Sequence, residues 1–547
     1  MNKLPIFQKE KNINLHFNYH QYADSSITHY GFIFLFLFIF FLLLLRLFQL
    51  TIVKGNYYYR LADENRIKEL QIEPQRGKII DRKGLTLANS LPADTRGNQP
   101  RLTSPRLYHE PEAIAPVVGY EQIADVNKLK NDHCIYKLQL GDKIGKKGVE
   151  KIYDCDLRGR SGKKMIEIDA KGNYLKTLTI DPPEEGKTIQ LALDLELQKK
   201  AYQLLDGKKG AVVAIKPNTG EIIALVSSPS YNAQSFTDGN SEIVGKAIID
   251  EAKPLFNRAT EGTYPPGSVF KIVIAAGALE EKAIDEKIEF EDTGQIQAGP
   301  ITFGNWYFLQ YGKTEGMVNI TRAIQRSNDI FFYKTGEKLG PEKIKLWAEK
   351  FGYGKEFNFG LGESSGLIPS PFWKMETFKD QWYLGDTYNL SIGQGYILVT
   401  PLQVTIATAA IANNGYLCDP KLLKINNPQG VMRNCKKLSI SKKTLDLIQE
   451  GMRKACAPGG TGWPFFNFGV GEATNSAQFK KIQTACKTGT AESHAEDKTP
   501  HAWFTVYAPA DKPEIALTVL LEEAGQGSDI AGPIAKEILK SYFERKE

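Results

Sequence analysis

GAVVAIKPNTGEIIALVSS, residues 210–228, is the stretch from which the fold can be read. Two short apolar runs flank Pro217-Asn218-Thr219-Gly220, a strong turn signal, so the segment reads as a β-hairpin. Comparable strand patterns return only near the end of the chain, in KIQTACKTGTAE (481–492), AWFTVYAP (502–509) and EIALTVLLEE (514–523). Between these two groups the patterning is helical. LDLELQKKAYQLL (193–205) precedes the hairpin with helical apolar spacing, and GPIAKEILKSYFER (532–545) closes the chain in the same way. Two strands early, three late and helices between imply an α+β domain, an α/β sandwich whose five-stranded antiparallel sheet is built from both ends of the segment and flanked by helices.

The 547 residues exceed one ordinary domain. Upstream of the block just described, NYYYRLADENRIKEL (56–70) reads as helix and QIEPQRGKIIDRKGLTLANS (71–90) as β-rich. Residues 91–115 are Pro-rich and weakly patterned. GYEQIADVNKL (119–129) and GKKGVEKIYDCDLRG (145–159) read as short helices, and KKMIEIDAKGNYLKTLTI (163–180) as a hairpin turning at Ala170-Lys171-Gly172-Asn173. DPPEEGK (181–187) has the composition of a linker. The segment 31–53, GFIFLFLFIFFLLLLRLFQLTIV, forms a helix of roughly 33 Å, enough for a hydrocarbon core of roughly 30 Å. It is followed by KGNYYYRLADEN, with no A-x-A cleavage pattern, so it reads as an uncleaved single-span anchor with Arg46 near one end. The organisation expected is a tail at 1–30, an anchor at 31–53, a β-rich segment at 54–186 and the mixed domain at 187–547.

A net charge of +6 over this length, without a dense Lys/Arg patch interleaved with aromatics, argues against nucleic-acid binding. Six cysteines form no C-x-x-C pair and seven histidines do not cluster, so no metal centre is expected. The cysteines read as scattered small buried residues with no deducible connectivity. Local charge is ambiguous about orientation. Only Lys11 lies close on the N-terminal side of the anchor, whereas Lys54, Arg60, Arg66 and Lys68 follow it.

Chemistry is suggested by TYPPGSVFKIVIAAGALE (263–280). Pro265-Pro266-Gly267 stops one element and opens a helix, which places Ser268 at a helix N-terminus where developing negative charge is favoured. Lys271 lies three residues on, on the same helix face, among apolar neighbours. Burial there lowers the lysine pKa and makes the neutral amine accessible as a base. S-x-x-K alone is weak, since Ser161–Lys164 and Ser439–Lys442 repeat it in polar surroundings with no reason for burial. Two further elements strengthen it. Ser327-Asn328-Asp329 follows 59 residues after Ser268, and as a bland alternative reads as a helix N-cap. Lys487-Thr488-Gly489-Thr490 lies in a strand pattern. A second K-T-G, Lys334-Thr335-Gly336, follows the helical run DIFFY, and its expected role is to end that helix at glycine.

The order S-x-x-K, S-x-N or S-x-D, K-T-G resembles that of penicillin-binding proteins and β-lactamases. RGKIIDRKGLTLANS (76–90), GKKGVEKIYDCDLRGRSG (145–162), IKPNTGEIIALVSSPSYN (215–232), NRATEGTYPPGSVFK (257–271), NLSIGQGYILVTPLQ (389–403) and CKTGTAES (486–493) extend the resemblance to class B penicillin-binding proteins over nearly all of the chain after the anchor. SIGQGYILVTPLQ and the glutamate after KTGTA resemble the elongation-type branch more than the division-type one. The resemblance implies an elongated dimerisation-type pedestal at 54–186, a transpeptidase domain at 187–547, and a D,D-transpeptidase that cross-links peptidoglycan stem peptides outside the membrane. It implies Ser268 as nucleophile, Lys271 as its base, Ser327 and Lys487 as a proton relay to the leaving amine, and the N–H groups of Ser268 and Thr490 as oxyanion hole. Asp329, Thr488, Gly489 and Thr490 would bind substrate, and His494 and His501 would be loop or strand-end residues. It further implies covalent inhibition by β-lactams, no metal or organic cofactor, and a partnership with a membrane-embedded SEDS-family glycan polymerase and other elongation-complex proteins. The export it implies for residues 54–547 runs against the local charge count. Asp329 stands where asparagine is commoner in the wider family, so its contact with the substrate amide or with Lys271 is expected to differ, and the segment after LANS is shorter than in relatives, which weakens the carry-over of pedestal contacts. A penicillin sensor or hydrolase on the same catalytic domain, and a silent scaffold, are the alternatives. The pedestal-like segment argues against the first and the three intact motifs against the second.

Overall fold

The computed structural model describes residues 26–95, 101–169, 171–426, 435–471, 479–493 and 499–545. They pack as two units, the first comprising the described residues up to Leu70 with Lys164–Ile180, the second Gln71–Lys163 with Asp181–Glu547. In the first unit a helix over Ser26–Phe48 continues as a wider turn through Val53, and His29–Val53 is long and apolar enough to cross a membrane. The helix Gly55–Arg66 stops earlier than its sequence suggests, because Ile67–Ile72 pairs instead into a three-stranded sheet with the hairpin Gly162–Ile168 and Tyr174–Asp181. Ala170, assigned to the hairpin turn, lies outside the described residues.

In the second unit the sheet consists of β1 (Gly210–Ile215), β2 (Ile222–Ser228), β3 (Ala485–Ala491), β4 (His501–Ala508) and β5 (Ile515–Leu521), in the order β2-β1-β5-β4-β3. Every neighbouring pair is antiparallel. Around it lie α1 (Leu195–Leu204), α2 (Lys271–Glu280), α3 (Ile320–Arg326), α4 (Asp329–Leu339), α5 (Leu384–Ser391), α6 (Pro401–Ala412), α7 (Lys442–Ala455) and α8 (Gly532–Glu544). The period of two divides the strands between two cores. Ala211, Val213 and Ile215 join one with α2 and α6, whereas Val212 and Ala214 join the other with α1 and α8. Both faces are covered, which is why these strands read as unbroken apolar runs. α6 is buried at all twelve positions, Gln403, Thr405 and Thr408 included. Its Thr408 hydroxyl is satisfied by Thr505 at 2.8 Å, itself 2.9 Å from Thr518.

Several details depart from the sequence reading. GYEQIADVNKL is half strand: Glu121–Ile123 pairs with Lys143–Gly145, and only Val126–Lys130 is helical, capped by Asp125. Small hairpins also interrupt the helix-rich stretch, at Gln295–Ala298 with Ile301–Gly304 and at Tyr416–Cys418 with Cys435–Lys437. All six cysteines pair, Cys134–Cys155, Cys418–Cys435 and Cys456–Cys486. They are not scattered singles: partners 17–30 residues apart in sequence meet only once the chain folds. Lys334-Thr335-Gly336 does not end its helix. It lies inside α4, which runs on to Leu339, and a side chain at 336 would start 2.4 Å from Ser391 Cβ, so this glycine serves the close approach of α4 and α5.

The segments RGKIIDRKG and GKKGVEKIYD meet through a buried ion cluster. Arg76 Nε donates to Glu150 Oε2 at 2.6 Å, Arg106 Nε to Glu150 Oε1 at 2.9 Å, and Arg76 Nη2 to Asp154 Oδ1 at 2.8 Å. Burial pushes the Glu150 carboxyl up, but Arg106 and Arg76 outweigh it and the net direction is down. Asp81 in the same segment accepts from Lys83 N, Leu85 N and Leu195 N, fixing the turn against the start of α1. Because Glu150 and Arg106 are fully buried, Glu150→Ala leaves two desolvated guanidiniums without their shared carboxylate and is expected to cost about 3–5 kcal/mol. Urea denaturation of the full chain in detergent checks this, and a loss below about 1 kcal/mol would mean that the cluster is not a structural keystone.

Candidate active site

The catalytic-serine candidate lies on a tight 3₁₀ turn, Gly267–Phe270, that runs directly into α2. Gly267 has φ 56°, and a Cβ there would come within 2.7 Å of Thr490 O, so only glycine lets the turn press against β3. Its N–H donates to Gly393 O at 2.8 Å, and Trp503 Nε1 donates to Pro265 O at 2.9 Å, holding the turn from both sides. Ser268 is half-buried and lines a cleft of about 620 Å³ together with Ser327, Asp329, Thr488, Gly489 and Thr490.

Lys271 opens α2 and is fully buried. Its Nζ donates to Ser327 O at 2.9 Å, lies 3.5 Å from Ser327 Oγ, and pairs with Asp329 Oδ1 at 2.6 Å. Burial lowers the Lys271 pKa, and Asp329 opposes this without reversing it. Ser327 occupies the left-handed residue between α3 and α4, at φ 57°. That kink carries its hydroxyl to the lysines. Asn328 then caps α4, accepting from Phe331 N at 2.9 Å, so the capping and functional readings of the tripeptide hold together. Asp329 sits in the first turn of α4, where a negative charge is favoured, and its Oδ2 accepts from Trp306 N at 3.0 Å. Asp329 thus forms a direct ion pair with Lys271, and both of its carboxylate oxygens are engaged inside the chain.

β3 is an edge strand of the sheet. Lys487 is fully buried on it, and its Nζ donates to Ser327 Oγ at 2.8 Å and to Thr488 O at 2.9 Å. Burial and then the nearby Lys271 push the Lys487 pKa well below the ordinary lysine value. Thr488 Oγ1 donates to Thr461 Oγ1 at 2.8 Å, and Thr490 is exposed toward the cleft. A Cβ at Gly489 would meet Val269, Trp503 and Pro266 O at 3.0–3.1 Å, which explains glycine between the two threonines.

The other candidates disperse. Ser439 and Lys442 are exposed, and Lys442 pairs with Asp446. Ser161 Oγ accepts from Gln71 Nε2 at 3.0 Å. Lys164 corrects its expected exposure: it is buried, with its ammonium 5.9 Å from the Tyr174 ring. His494 lies outside the described residues, and His501 begins β4, accepting from Glu523 N. What sequence reading missed is the support. Asp292 Oδ2 accepts from Asn328 Nδ2 at 3.0 Å and from Asn305 Nδ2 at 2.9 Å, and Asn305 Oδ1 accepts from Asp329 N at 3.2 Å. Cys456–Cys486 ties the residue before Lys487 to the end of α7, ahead of the loop bearing Thr461.

The penicillin-binding protein transpeptidase domain family matches residues 210–540, and the penicillin-binding protein dimerisation domain family matches 92–191. The chain belongs to the penicillin-binding proteins that carry a transpeptidase domain. Within that class it is similar to peptidoglycan D,D-transpeptidase MrdA of Haemophilus influenzae, 31% identical over 91% of this chain and 89% of the relative, and to MrdA of Escherichia coli K12, 30% identical over 90% of each. Among solved structures it is similar to Pseudomonas aeruginosa PBP2 in complex with WCK 5153, with TM-score 0.72, 31% identity and coverage of 87% of this chain and 96% of that one. Helicobacter pylori PBP2 in complex with MreC gives TM-score 0.72 at 28% identity, covering 88% and 99%.

Asp329→Asn removes the one carboxylate paired with Lys271 while keeping its shape. Since that carboxylate raises the Lys271 pKa, its loss lets the amine lose its proton at lower pH. The acidic limb of the rate of acylation by a penicillin should therefore move to lower pH. Stopped-flow profiles of the two proteins read this, and a limb that stays in place or moves up contradicts the pairing.

Proposed function

We propose that the chain is an elongation-type peptidoglycan D,D-transpeptidase that acts through an acyl-enzyme on Ser268. The observation that carries the roles is the convergence of two fully buried lysines on one hydroxyl, Lys271 Nζ at 3.5 Å and Lys487 Nζ at 2.8 Å from Ser327 Oγ, beside the cleft that Ser268 lines. A stem peptide ending in D-Ala-D-Ala adds along the free edge of β3, with its carboxylate on the Thr488 and Thr490 hydroxyls. Lys271, neutral in the reacting state, accepts the proton as Ser268 Oγ bonds to the carbonyl carbon. The N–H groups of Ser268 and Thr490 take the developing oxyanion. Collapse expels the terminal D-alanine, whose nitrogen receives its proton through Ser327 and Lys487, and an amine of a second stem peptide then resolves the ester. β-Lactams acylate the same serine.

The N-terminal span anchors the chain, with the N-terminus cytoplasmic and residues 54–547 outside. Pairing of every cysteine supports that side, since disulfides persist in oxidising compartments. The span 54–186 is assigned as pedestal and 187–547 as the transpeptidase domain. The relatives are solved with MreC and in a peptidoglycan synthase complex (TM-score 0.72, 26% identity), and we assign this chain corresponding partners in a cell-elongation assembly, a SEDS-family glycan polymerase among them.

Fluorescent penicillin is expected to label the membrane fraction covalently. Label should vanish in Ser268→Ala and persist in Ser161→Ala and Ser439→Ala, with mass spectrometry locating the adduct on the peptide that contains Ser268. An adduct on another serine would reject the assignment.

A further inference from the structure

A second cavity, of about 290 Å³, draws its lining from the same segment Ile392–Tyr396 as the reaction cleft. Ile392 and Gln394 face the cleft, Gly395 and Tyr396 face the cavity, and Gly393 between them holds Gly267 N, the residue before Ser268. Two aromatic rings line the cavity. Trp382 is oriented by its Nε1 bond to Thr387 Oγ1 at 2.8 Å, and Tyr396 is braced by Trp373 and Phe378 at 5.3 and 5.4 Å between ring centroids. Asp386 and Asn389 add polar groups. Asp386 Oδ2 is fixed by Lys374 Nζ and Tyr383 N, both at 2.8 Å, whereas its Oδ1 and the Asn389 side-chain amide have no hydrogen-bond partner among the described residues.

Two fixed aromatic side chains, one carboxylate acceptor and one amide make a surface for a neutral, hydroxyl-rich ring. The rings cover the apolar face of a pyranose, Asp386 accepts from hydroxyls, and Asn389 matches an acetamido group in both donor and acceptor. The carboxylate disfavours an anion. The volume is at the lower end of small-molecule sites, roughly 300–1,000 Å³, and so suits one sugar ring rather than an oligosaccharide. We infer that this cavity binds an N-acetylhexosamine unit of the glycan strand, so that the enzyme reads the sugar of its substrate as well as the stem peptide. This rests on the transpeptidase reading, because the cavity adjoins the Ser268 cleft through Ile392–Tyr396.

The test uses the full chain in detergent with N,N′-diacetylchitobiose as probe and cellobiose, which lacks the acetamido groups, as control, read by saturation-transfer difference NMR titration. Chitobiose should bind and cellobiose should bind at least about tenfold more weakly. Trp382→Ala should weaken chitobiose at least about tenfold while Trp382→Phe, which keeps a ring, retains most of it. Asn389→Leu should remove the preference for chitobiose over cellobiose, which keeps the proposal testable if Trp382→Ala does not fold. Absence of a chitobiose signal, equal binding of both disaccharides to the unaltered chain, or unchanged binding in a folded Trp382→Ala overturns the subsite. Penicillin labelling of Ser268 in the unaltered chain separates the two readings: label without chitobiose binding rejects the subsite alone, and absence of label rejects the reaction.

Discussion

Two amines and one carboxylate are buried around a single hydroxyl at the wall of the cleft, and the remaining architecture is arranged to make that possible. Lys271 and Lys487 are both fully buried, and both reach Ser327 Oγ. Two ammonium ions so placed would repel each other with little solvent to screen them. Asp329 at 2.6 Å compensates Lys271, and it contacts Lys487 through no hydrogen bond, so Lys487 is the amine whose charged form is most disfavoured. In the reaction proposed above, the Ser327 hydroxyl bridges the two amines, so that a proton taken from Ser268 returns to the leaving group without a histidine.

Holding that arrangement requires three elements that are distant in sequence. α2 brings Lys271 because its apolar residues are buried on all sides. The junction of α3 and α4 brings Ser327 because one left-handed residue turns the chain, and Asp292, at the end of the short strand Phe290–Asp292, pins the following Asn328. β3 brings Lys487 because it continues the sheet at its edge, where a peptide strand can add. Burying lysines is costly, and these contacts are the compensating structure.

The sheet was legible in sequence because both of its faces are covered. That turns each strand into a short, dense apolar run bounded by turn residues, as in GAVVAIK and EIIALVSS. Ser268, Lys271, Ser327 and Lys487 were legible because residue type and order survive without a fold. Their support was not. Asp292 reaches Asn305 and Asn328 across 13 and 36 residues, and a hydrogen bond of that kind leaves no periodicity. Cysteine pairing has the same character. The strand Glu121–Ile123 was missed because three residues carry too little pattern, and its identity comes from its partner at Lys143–Gly145.

The repeated motifs show what the letters leave unspecified. Lys-Thr-Gly occurs at 334–336 and at 487–489, and in each copy the glycine permits a close approach, to Ser391 in the first and to Val269 and Trp503 in the second. Only the second copy lies on a strand edge with its lysine buried against a serine hydroxyl; the half-buried Lys334 reaches a backbone carbonyl, Glu291 O. Burial alone does not discriminate either, since Lys164 is as buried as a base should be. What marks Lys271 is its place in a cluster at the cleft: it pairs with the Asp329 carboxylate and lies 3.5 Å from a Ser327 hydroxyl that also accepts from Lys487. A tripeptide or a spacing becomes a site only where the fold supplies those neighbours, and that is a property of the sheet edge and of the α3–α4 kink rather than of the motif.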